Sequence, residues 1–495
     1  MFYEYFLVFR NIFVIMSEFK IFCILEKNML YGLKNVLGKP NEANGGIYFC
    51  GIGGISMLSL ALLTRDSGYS VMGSDVSADE ETIRACREHK IPLFFSHEAE
   101  NVEGCSVFIY TAAIKNDNPE LIRARALGIK ILTRAEFLGR IIKSFSLSIG
   151  VSGTHGKSTV THMTYQILSE CGARPTMLAG AMSAKSNKAY EQGDGGTVIY
   201  EACEYNRSFL EMKPSVAVIL NIEKEHTDVY PTLESSKAAF LQFAMESDTC
   251  VLNRDCPVCA SVERELLSLK KSVFTFSLCD ESADVYAKNI KEIKGFYTFD
   301  AVIKGEQTVS GIKMKTPGLH NVKNAISAIA AAAAIEKAAA DKIKSGIESF
   351  IGIKRRFEYI GRVGYADVYD DYAHHPTEIK ATLDVAKSLG YDKILCAFQP
   401  HTYSRTYELF DGFVESLSGF DTVVVSDIFA AREKNVYGIT GQTLANALKN
   451  GKYIKSFDEI YRFLLASSHP KTLILTMGAG KMNLIAKRLV YGEEN

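Results

Sequence analysis

The chain has 495 residues, too many for one ordinary core; at roughly 100–200 residues per domain, two to four domains are expected. Hydrophobic residues make up 47% and charged residues 23%, an ordinary globular balance, and the formal net charge of −1 argues against nucleic acid as a partner. The 11 cysteines are scattered, which fits a reducing compartment better than a disulfide scaffold. Only Cys256 and Cys259 have C-x-x-C spacing. Neither a second such pair nor histidine partners follow, so two ordinary thiols near a helix start are expected.

The first residues, MFYEYFLVFRNIFVIM, are apolar and aromatic. The run is too short to span a bilayer, Glu4 and Arg10 interrupt it, and it lacks the basic start and cleavage site of a signal peptide. Met16 and Met29 both offer downstream starts, so residues 1–44 are read as an N-terminal extension left out of the fold. No other segment reads as membrane-spanning, and a cytoplasmic protein is expected.

A first unit, 45–143, opens on GGIYFCGIGGISMLSLALLTRDSGYSVMGSD. A strand over about 46–50 meets a glycine turn at Gly51, Gly53 and Gly54. The helix after it carries Met57, Leu60 and Ala61 at helical spacing, with Leu63 close by, and a second strand ends at Asp75. Such glycines let a ligand approach the backbone, the helix start (Ile55, Ser56) offers N–H groups to phosphate, and an acidic residue about 20 positions on suits a ribose hydroxyl. Ser56 replaces the last glycine of G-x-G-x-x-G, so the motif alone also fits a plain tight turn. Strand–helix alternation continues through VFIYTAAI, IRARALGIKIL and TRAEFLGRIIK, which predicts a small doubly wound α/β domain.

A second unit, 144–352, begins with SLSIGVSGTHGKSTVTHM: strand, loop, helix. The general phosphate loop G-x-x-x-x-G-K-[ST] would put a glycine at 151, where this chain has Val151. The segment Gly153, Thr154, His155, Gly156, Lys157, Ser158, Thr159 still combines backbone N–H groups, a cation and two hydroxyls. Downstream, the strand TVIYEACE ends in Glu201 and Glu204, and VAVILNIEKEHTD is a buried strand leading to His226 and Asp228. ATP with Mg²⁺ needs such a set: lysine on the β/γ-phosphates, a hydroxyl and a carboxylate on the metal. GLHN supplies a turn and a helix start, and the alanine-rich run 323–340 reads as a closely packed core helix.

The third unit, 353–495, alternates strands and helices as a second doubly wound sheet, with Pro376 suited to a first helical turn. Its polar clusters DDYAHH, QPHTYSR and SDIFAAREK fall just beyond strand ends, where ligands of such sheets bind.

In this order, GTHGKS, EACE, NIEKEHTD, GLHNVKNA, RRFE and DDYAHHPTE resemble the Mur ligases, ATP-dependent amide-forming enzymes of bacterial cell-wall synthesis. The resemblance covers nearly all of 45–495. It implies three domains: a Rossmann-like N-terminal domain, a central P-loop ATPase-like domain and a C-terminal Rossmann-like domain. Together GIGGISM, EACEYNRSF, DDYAHHPTE and FQPHTYSRT point to the member that joins L-alanine to UDP-N-acetylmuramate. The family loop lacks the early glycine, which accounts for Val151.

By the same resemblance Lys157 contacts the γ-phosphate, Ser158 and Glu201 hold one Mg²⁺, and His226 helps hold a second. Asn321, and with it His320, falls near the adenine; Arg356 approaches the nucleotide; Asp371 is placed for the ribose. Tyr372 and His375 face the incoming amino acid, and Arg405 grips its carboxylate. The UDP-sugar falls to Gly51, Gly53, Gly54, Ile55, Ser56 and Asp75. Three departures stand out: Cys203 and Asn206 replace acidic residues common in EADESD, Thr402 replaces the arginine of FQPHRYSRT, and Ser56 replaces the third glycine. A monomer or homodimer is expected. The alternatives are a murein-peptide ligase attaching a recovered tripeptide to the same UDP-sugar, a silent UDP-sugar sensor, and a dinucleotide-dependent oxidoreductase. The last leaves GTHGKS and the C-terminal clusters unexplained.

Overall fold

Strand β1 (Gly46–Cys50) is buried at every residue, the pattern of a strand covered on both faces. The computed structural model describes Leu33, Leu37 and residues 45–335, 338–431 and 433–492. Around β1 lie β2 (Val71–Ser74), β3 (Leu93–Phe94), β4 (Cys105–Tyr110) and β5 (Lys130–Thr133), all parallel in the order β3-β2-β1-β4-β5. Strand order reverses between β1 and β4, which opens a crevice at their C-terminal ends, and the glycine turn 51–54 sits there. The helix Ile55–Asp66 buries Met57, Leu60, Ala61 and Leu63 together, as their spacing predicts. Of the extension 1–44, Leu33 and Leu37 alone lie among the described residues. Both are helical and buried in this core.

The second sheet is centred on β6 (Leu147–Ser152), flanked by β9 (Thr197–Glu201) and β10 (Val216–Ile219). Beyond β9 come β7 (Thr176–Leu178) and β8 (Tyr190–Glu191); beyond β10 come β11 (Thr249–Asn253) and β12 (Ser272–Ser277). An antiparallel meander of β13 (Val285–Ile293), β14 (Phe296–Ile303) and β15 (Gln307–Lys313) extends the edge. The alanine-rich run does not form one helix. Helix Leu319–Ala333 buries Ala325, Ala328 and 330–332, then closes when the Ile335 N–H turns back to the Ala332 carbonyl. A separate helix, Ala340–Ser349, follows, and residues 336–337 of the run lie outside the described residues.

The third sheet has the order β16-β17-β21-β18-β19-β20. These strands are β16 (Glu358–Val363), β17 (Ala366–Asp371), β18 (Lys393–Phe398), β19 (Thr422–Val425), β20 (Gly451–Tyr453) and β21 (Thr472–Met477). All pairs are parallel except the edge pair β16–β17. Pro376 opens the helix Pro376–Ser388, where its fixed φ suits the first turn.

The first and second units are in close contact away from the cleft. Gly139, in the helix Arg134–Ile142, lies so close to the chain at Glu211 that a Cβ there would stand 2.3 Å from the Glu211 carbonyl oxygen. One apolar cluster runs from Phe49 and Phe137 of the first unit to Phe209, Phe240 and Phe243 of the second. No helix among the described residues is long and apolar enough to cross a membrane.

The first unit also buries a carboxylate. Glu120, at the start of the helix Pro119–Ala126, is fully buried and accepts from Tyr48 Oη (2.6 Å), Ser74 Oγ (2.7 Å), Asn101 Nδ2 (2.9 Å) and Cys50 Sγ (3.0 Å). Burial pushes its pKa up, but the hydrogen bonds from Asn101, Cys50, Tyr48 and Ser74 outweigh it, and the net shift is downward. Its contribution to stability is therefore present above the ordinary carboxylate pKa and lost as pH falls through the depressed one. Glu120→Ala, which strands these donors, should lower unfolding free energy by about 3 kcal/mol in urea titrations at neutral pH. A change under about 0.5 kcal/mol would show that the network is not stabilising.

Candidate active site

Val151 is fully buried in β6 and still part of the strand. The turn begins two residues later, at Gly153 with φ +141°, so no glycine is needed at 151. Gly156 caps the helix Lys157–Glu170 with φ +90°, and a Cβ there would stand 2.8 Å from Asn324 Oδ1. Asn221 braces the loop from the adjacent strand end. Its Oδ1 accepts from the His155 N–H (2.8 Å), its carbonyl from the Thr154 N–H (3.1 Å), and its Nδ2 donates to the His155 carbonyl (3.0 Å).

Lys157 Nζ donates to the Gly153 carbonyl (2.6 Å) and the Thr154 carbonyl (3.2 Å) and pairs with Glu204 Oε2 at 3.1 Å. Burial opposes the ammonium charge, but Glu204 outweighs it and the Lys157 pKa is raised. Across the same carboxylate, His226 Nε2 lies 3.6 Å from Glu204 Oε1. Glu201, at the end of β9, accepts from the Gly180 N–H. Ser158, Glu201, Glu204 and His226 line one cleft with the loop. A hydroxyl, two carboxylates and an imidazole form a donor set that suits a hard divalent cation.

The third unit reaches this cleft through carboxylates. Glu225 Oε1 accepts from Arg405 Nη2 (2.6 Å) and Nε (3.1 Å), and Glu225 Oε2 lies 3.8 Å from His375 Nε2. Burial raises the Glu225 pKa, but Arg405 dominates and the carboxyl ends at about 2. Glu378, on the helix that Pro376 opens, accepts from Arg356 Nη1 and pairs with His155 Nδ1, both at 3.1 Å. His155 Nε2 lies 3.6 Å from Glu223 Oε2, which also accepts from Thr377 Oγ1 (3.1 Å). Burial would lower the His155 pKa, but bonds to Glu223 and Glu378 raise it to about 9. Ligand-capable atoms of His155, Glu223 and His375 all fall within 4.8 Å of one another.

The cleft between the three units has a volume of about 2450 Å³. Of the predicted residues, Thr154, His155, Gly156, Lys157, Ser158, Thr159, Glu201, His226, Asn321, Arg356, Asp371, Tyr372 and Ile55 line it. His375 and Arg405 adjoin it through Glu225. Asp371 is buried and accepts from Thr382 Oγ1 (2.8 Å) and the Ala373 N–H (2.9 Å); burial raises its pKa to about 6. Asn321 Nδ2 donates to the Pro317 carbonyl (2.7 Å), and burial holds the neighbouring His320 at about 4. The guanidinium groups of Arg355 and Arg356 lie over the Tyr372 ring at 4.7 and 5.4 Å.

In the first unit, Asp75 braces the glycine turn: its Oδ2 accepts from the Gly53 N–H (2.9 Å) and its Oδ1 from the Ser77 N–H (2.8 Å). Ser56 Oγ accepts from Arg134 Nη1 (2.9 Å). Residues 78–81, at and before the start of the helix Glu80–Glu88, line the cleft as well, a contribution not anticipated from the sequence.

Sequence reasoning also missed Asn221, Glu223, Glu225 and Glu378. All lie inside NIEKEHTD and DDYAHHPTE, and alternating acids beside predicted cations were the available signal. Of the departures, Asn206 sits at φ +53°, a left-handed position asparagine tolerates. Thr402 (φ +66°) donates its N–H to the Phe429 carbonyl at 2.9 Å, just before the helix Tyr403–Glu408.

Three family models match in series: Mur ligase family, catalytic domain, over 46–146; Mur ligase middle domain, over 151–332; and Mur ligase, glutamate ligase domain, over 355–480. The chain belongs to the Mur ligase family. Among curated relatives, the UDP-N-acetylmuramate–L-alanine ligase of Caldicellulosiruptor saccharolyticus is 41% identical, over 88% of this chain and 96% of its own. That of Clostridium acetobutylicum is 40% identical, over 91% and 97%. The crystal structure of the UDP-N-acetylmuramate–alanine ligase from Thermotoga maritima matches with TM-score 0.77 at 27% identity, over 90% of this chain and 98% of that one. A murein peptide ligase from Psychrobacter arcticus shares the fold at TM-score 0.68 and 23% identity, over 91% and 99%.

The clamp through His155 has a definite pH window. With its folded pKa raised to about 9, its stabilisation is full below the ordinary histidine value of about 6.5 and is lost as pH rises through about 9. His155→Gln should flatten the change in thermal midpoint across that window. Identical midpoint profiles for variant and wild type would remove His155 from the clamp.

Proposed function

We propose that this chain joins L-alanine to the muramoyl carboxylate of UDP-N-acetylmuramate, converting ATP to ADP and phosphate through an acyl phosphate. The observation that carries the reading is one cleft holding the Lys157 loop with Glu201, Glu204 and His226, bordered by the Glu225–Arg405 pair from the third unit. The identity of about 40% to named L-alanine ligases over almost their whole length supports the same substrate.

The first difficulty is that the attacking carboxylate and the γ-phosphate are both anionic. Lys157 offers a buried ammonium at the loop, and ATP entry lets it exchange Glu204 and two carbonyls for phosphate oxygens. Asn221 takes up the Thr154 and His155 N–H groups and so fixes the turn, which leaves the N–H groups at the start of the helix Lys157–Glu170 for phosphate. Mg²⁺, held by Ser158, Glu201 and His226, would supply further positive charge against the phosphates. Arg356, over the Tyr372 ring, borders the nucleotide from the third unit.

In the second step the free amine of alanine attacks the acyl phosphate, and the tetrahedral intermediate collapses to amide and phosphate. Arg405 presents a planar fork for the alanine carboxylate, which takes the place of Glu225. Closing the third unit over the cleft excludes water from the acyl phosphate.

ADP release with ATP, UDP-N-acetylmuramate and a panel of amino acids tests the reading. L-alanine should give the highest kcat/KM, and a preference for the tripeptide would favour the murein-peptide ligase instead. Lys157→Ala should lower kcat a hundredfold or more, about 3 kcal/mol of transition-state stabilisation. Arg405→Ala should raise the KM for alanine about thirtyfold, from about 2 kcal/mol of lost charge-assisted bonding. An unchanged alanine dependence would take Arg405 out of the amino-acid site.

A further inference from the structure

Away from the cleft, Cys50, His97 and Glu120 of the first unit hold their ligand-capable atoms within 4.8 Å of one another. Glu120 Oε2 is the meeting point: Ser74 Oγ lies 2.7 Å from it, His97 Nδ1 2.9 Å and Cys50 Sγ 3.0 Å. His97 Nδ1 in turn lies 3.2 Å from Ser74 Oγ and 3.9 Å from Cys50 Sγ. Cys50, Ser74 and Glu120 are fully buried. The His97 side chain is 19% exposed, so the imidazole connects the cluster to solvent.

Two features distinguish this cluster from a carboxylate that is merely well bonded. Three groups crowd Oε2, an oxygen with two lone pairs, while Oε1 takes Tyr48 and Asn101. The four atoms Sγ, Oγ, Nδ1 and Oε2 also come from four segments: the ends of β1 and β2, the stretch before Ala99–Val102, and the helix Pro119–Ala126. Bonds of about 2.0–2.3 Å to a central tetrahedral ion require corners about 3.3–3.8 Å apart. The ring nitrogen already stands near that spacing from the thiol and the hydroxyl. Only Oε2 has to draw back, by about half an ångström.

We propose that Cys50, His97 and Glu120 bind one Zn²⁺ ion, with Ser74 Oγ at the fourth corner. Thiolate, imidazole and carboxylate at tetrahedral spacing suit zinc, whereas Mg²⁺ and Ca²⁺ take larger sets of oxygens. Without the ion, Cys50 donates its proton to Glu120. Binding sends that proton past the His97 ring to water, and His97 binds through Nδ1 with its own proton on Nε2. One thiolate and one carboxylate then balance the two charges of the ion, so the buried site ends neutral. Tyr48 and Asn101 go on donating to Oε1, which keeps Glu120 in place throughout. Cys50 and Ser74 immediately precede Gly51 and Asp75, so the ion ties together the two strand ends from which the glycine turn and its bracing acid emerge.

The test strips the reduced full-length chain with a chelator and titrates it with Co²⁺, then Zn²⁺. One equivalent of Co²⁺ should give a thiolate-to-cobalt charge-transfer band with the intense visible bands of a tetrahedral site, and Zn²⁺ should remove both. Cys50→Val, a change that suits a buried strand, should lose the charge-transfer band. Cys203→Ser in the cleft and Cys279→Ser on the surface should keep it. His97→Gln should weaken zinc about a hundredfold in competition with a chromophoric chelator. X-ray absorption of the wild-type chain with one equivalent of zinc should show one sulfur at about 2.3 Å and lighter ligands at about 2.0–2.1 Å. A zinc shell without sulfur, or a charge-transfer band that survives Cys50→Val, overturns the site. Should Cys50→Val fail to fold by circular dichroism, the wild-type zinc shell and the His97→Gln affinity decide the question.

Discussion

Positive charge gathered where three units meet and drawn out of bulk water has to be balanced where it lies. Lys157, His155, Arg356 and Arg405 converge on one cleft, and each meets a carboxylate: Glu204, Glu223 with Glu378, Glu378 and Glu225. Burying such charges unpaired would cost several kcal/mol apiece. The compensating acids hold the loop in its turn and draw the third unit against the second. They also define what a substrate must do, since any anion that enters competes with a carboxylate already in place. On the function proposed above, phosphate and the alanine carboxylate make that exchange by offering the same oxygens in the same forks.

The sheets deliver these groups to one place. The phosphate loop leaves the end of β6, and Glu201 and Asn221 stand at or just past the ends of the strands flanking it. In the third unit, β17 leads directly into the segment carrying Tyr372, His375 and Glu378. In both sheets the reactive groups sit where parallel strands end and helices begin, so backbone N–H groups point towards the cleft.

Much of this was legible in the sequence, because loop, strand and carboxylate occur in short runs whose local geometry is set by glycine and strand periodicity. GTHGKS could be placed at a strand end, and Val151 reads correctly as the last stretch of strand rather than as a missing glycine. Less legible were the acids at 223, 225 and 378. Glu225 and Arg405 lie 180 residues apart and Glu378 and His155 lie 223 apart, and sequence spacing carries no signal for such pairing. Asp75 carries a signal of a different kind. A ribose-binding acid and an acid bracing its own glycine turn occupy the same position in the pattern, and the bond to the Gly53 N–H became visible only in the structure. The alanine-rich run was read as one helix because propensity was uniform along it, and propensity alone does not say where packing ends.

The contact of Gly139 with the Glu211 carbonyl separates the number of sheets from the number of folding units. Because the first two units share an apolar cluster through that contact, neither can leave the other without exposing it to water. Apart from Ile353, which packs into the second unit's core, the third unit keeps its core to itself, with Phe398 and Phe413 on one side of its sheet and Val424 and Ile474 on the other. A chain with three sheets is thus two cooperative blocks, and heat should melt it in two steps joined at the charged seam between them.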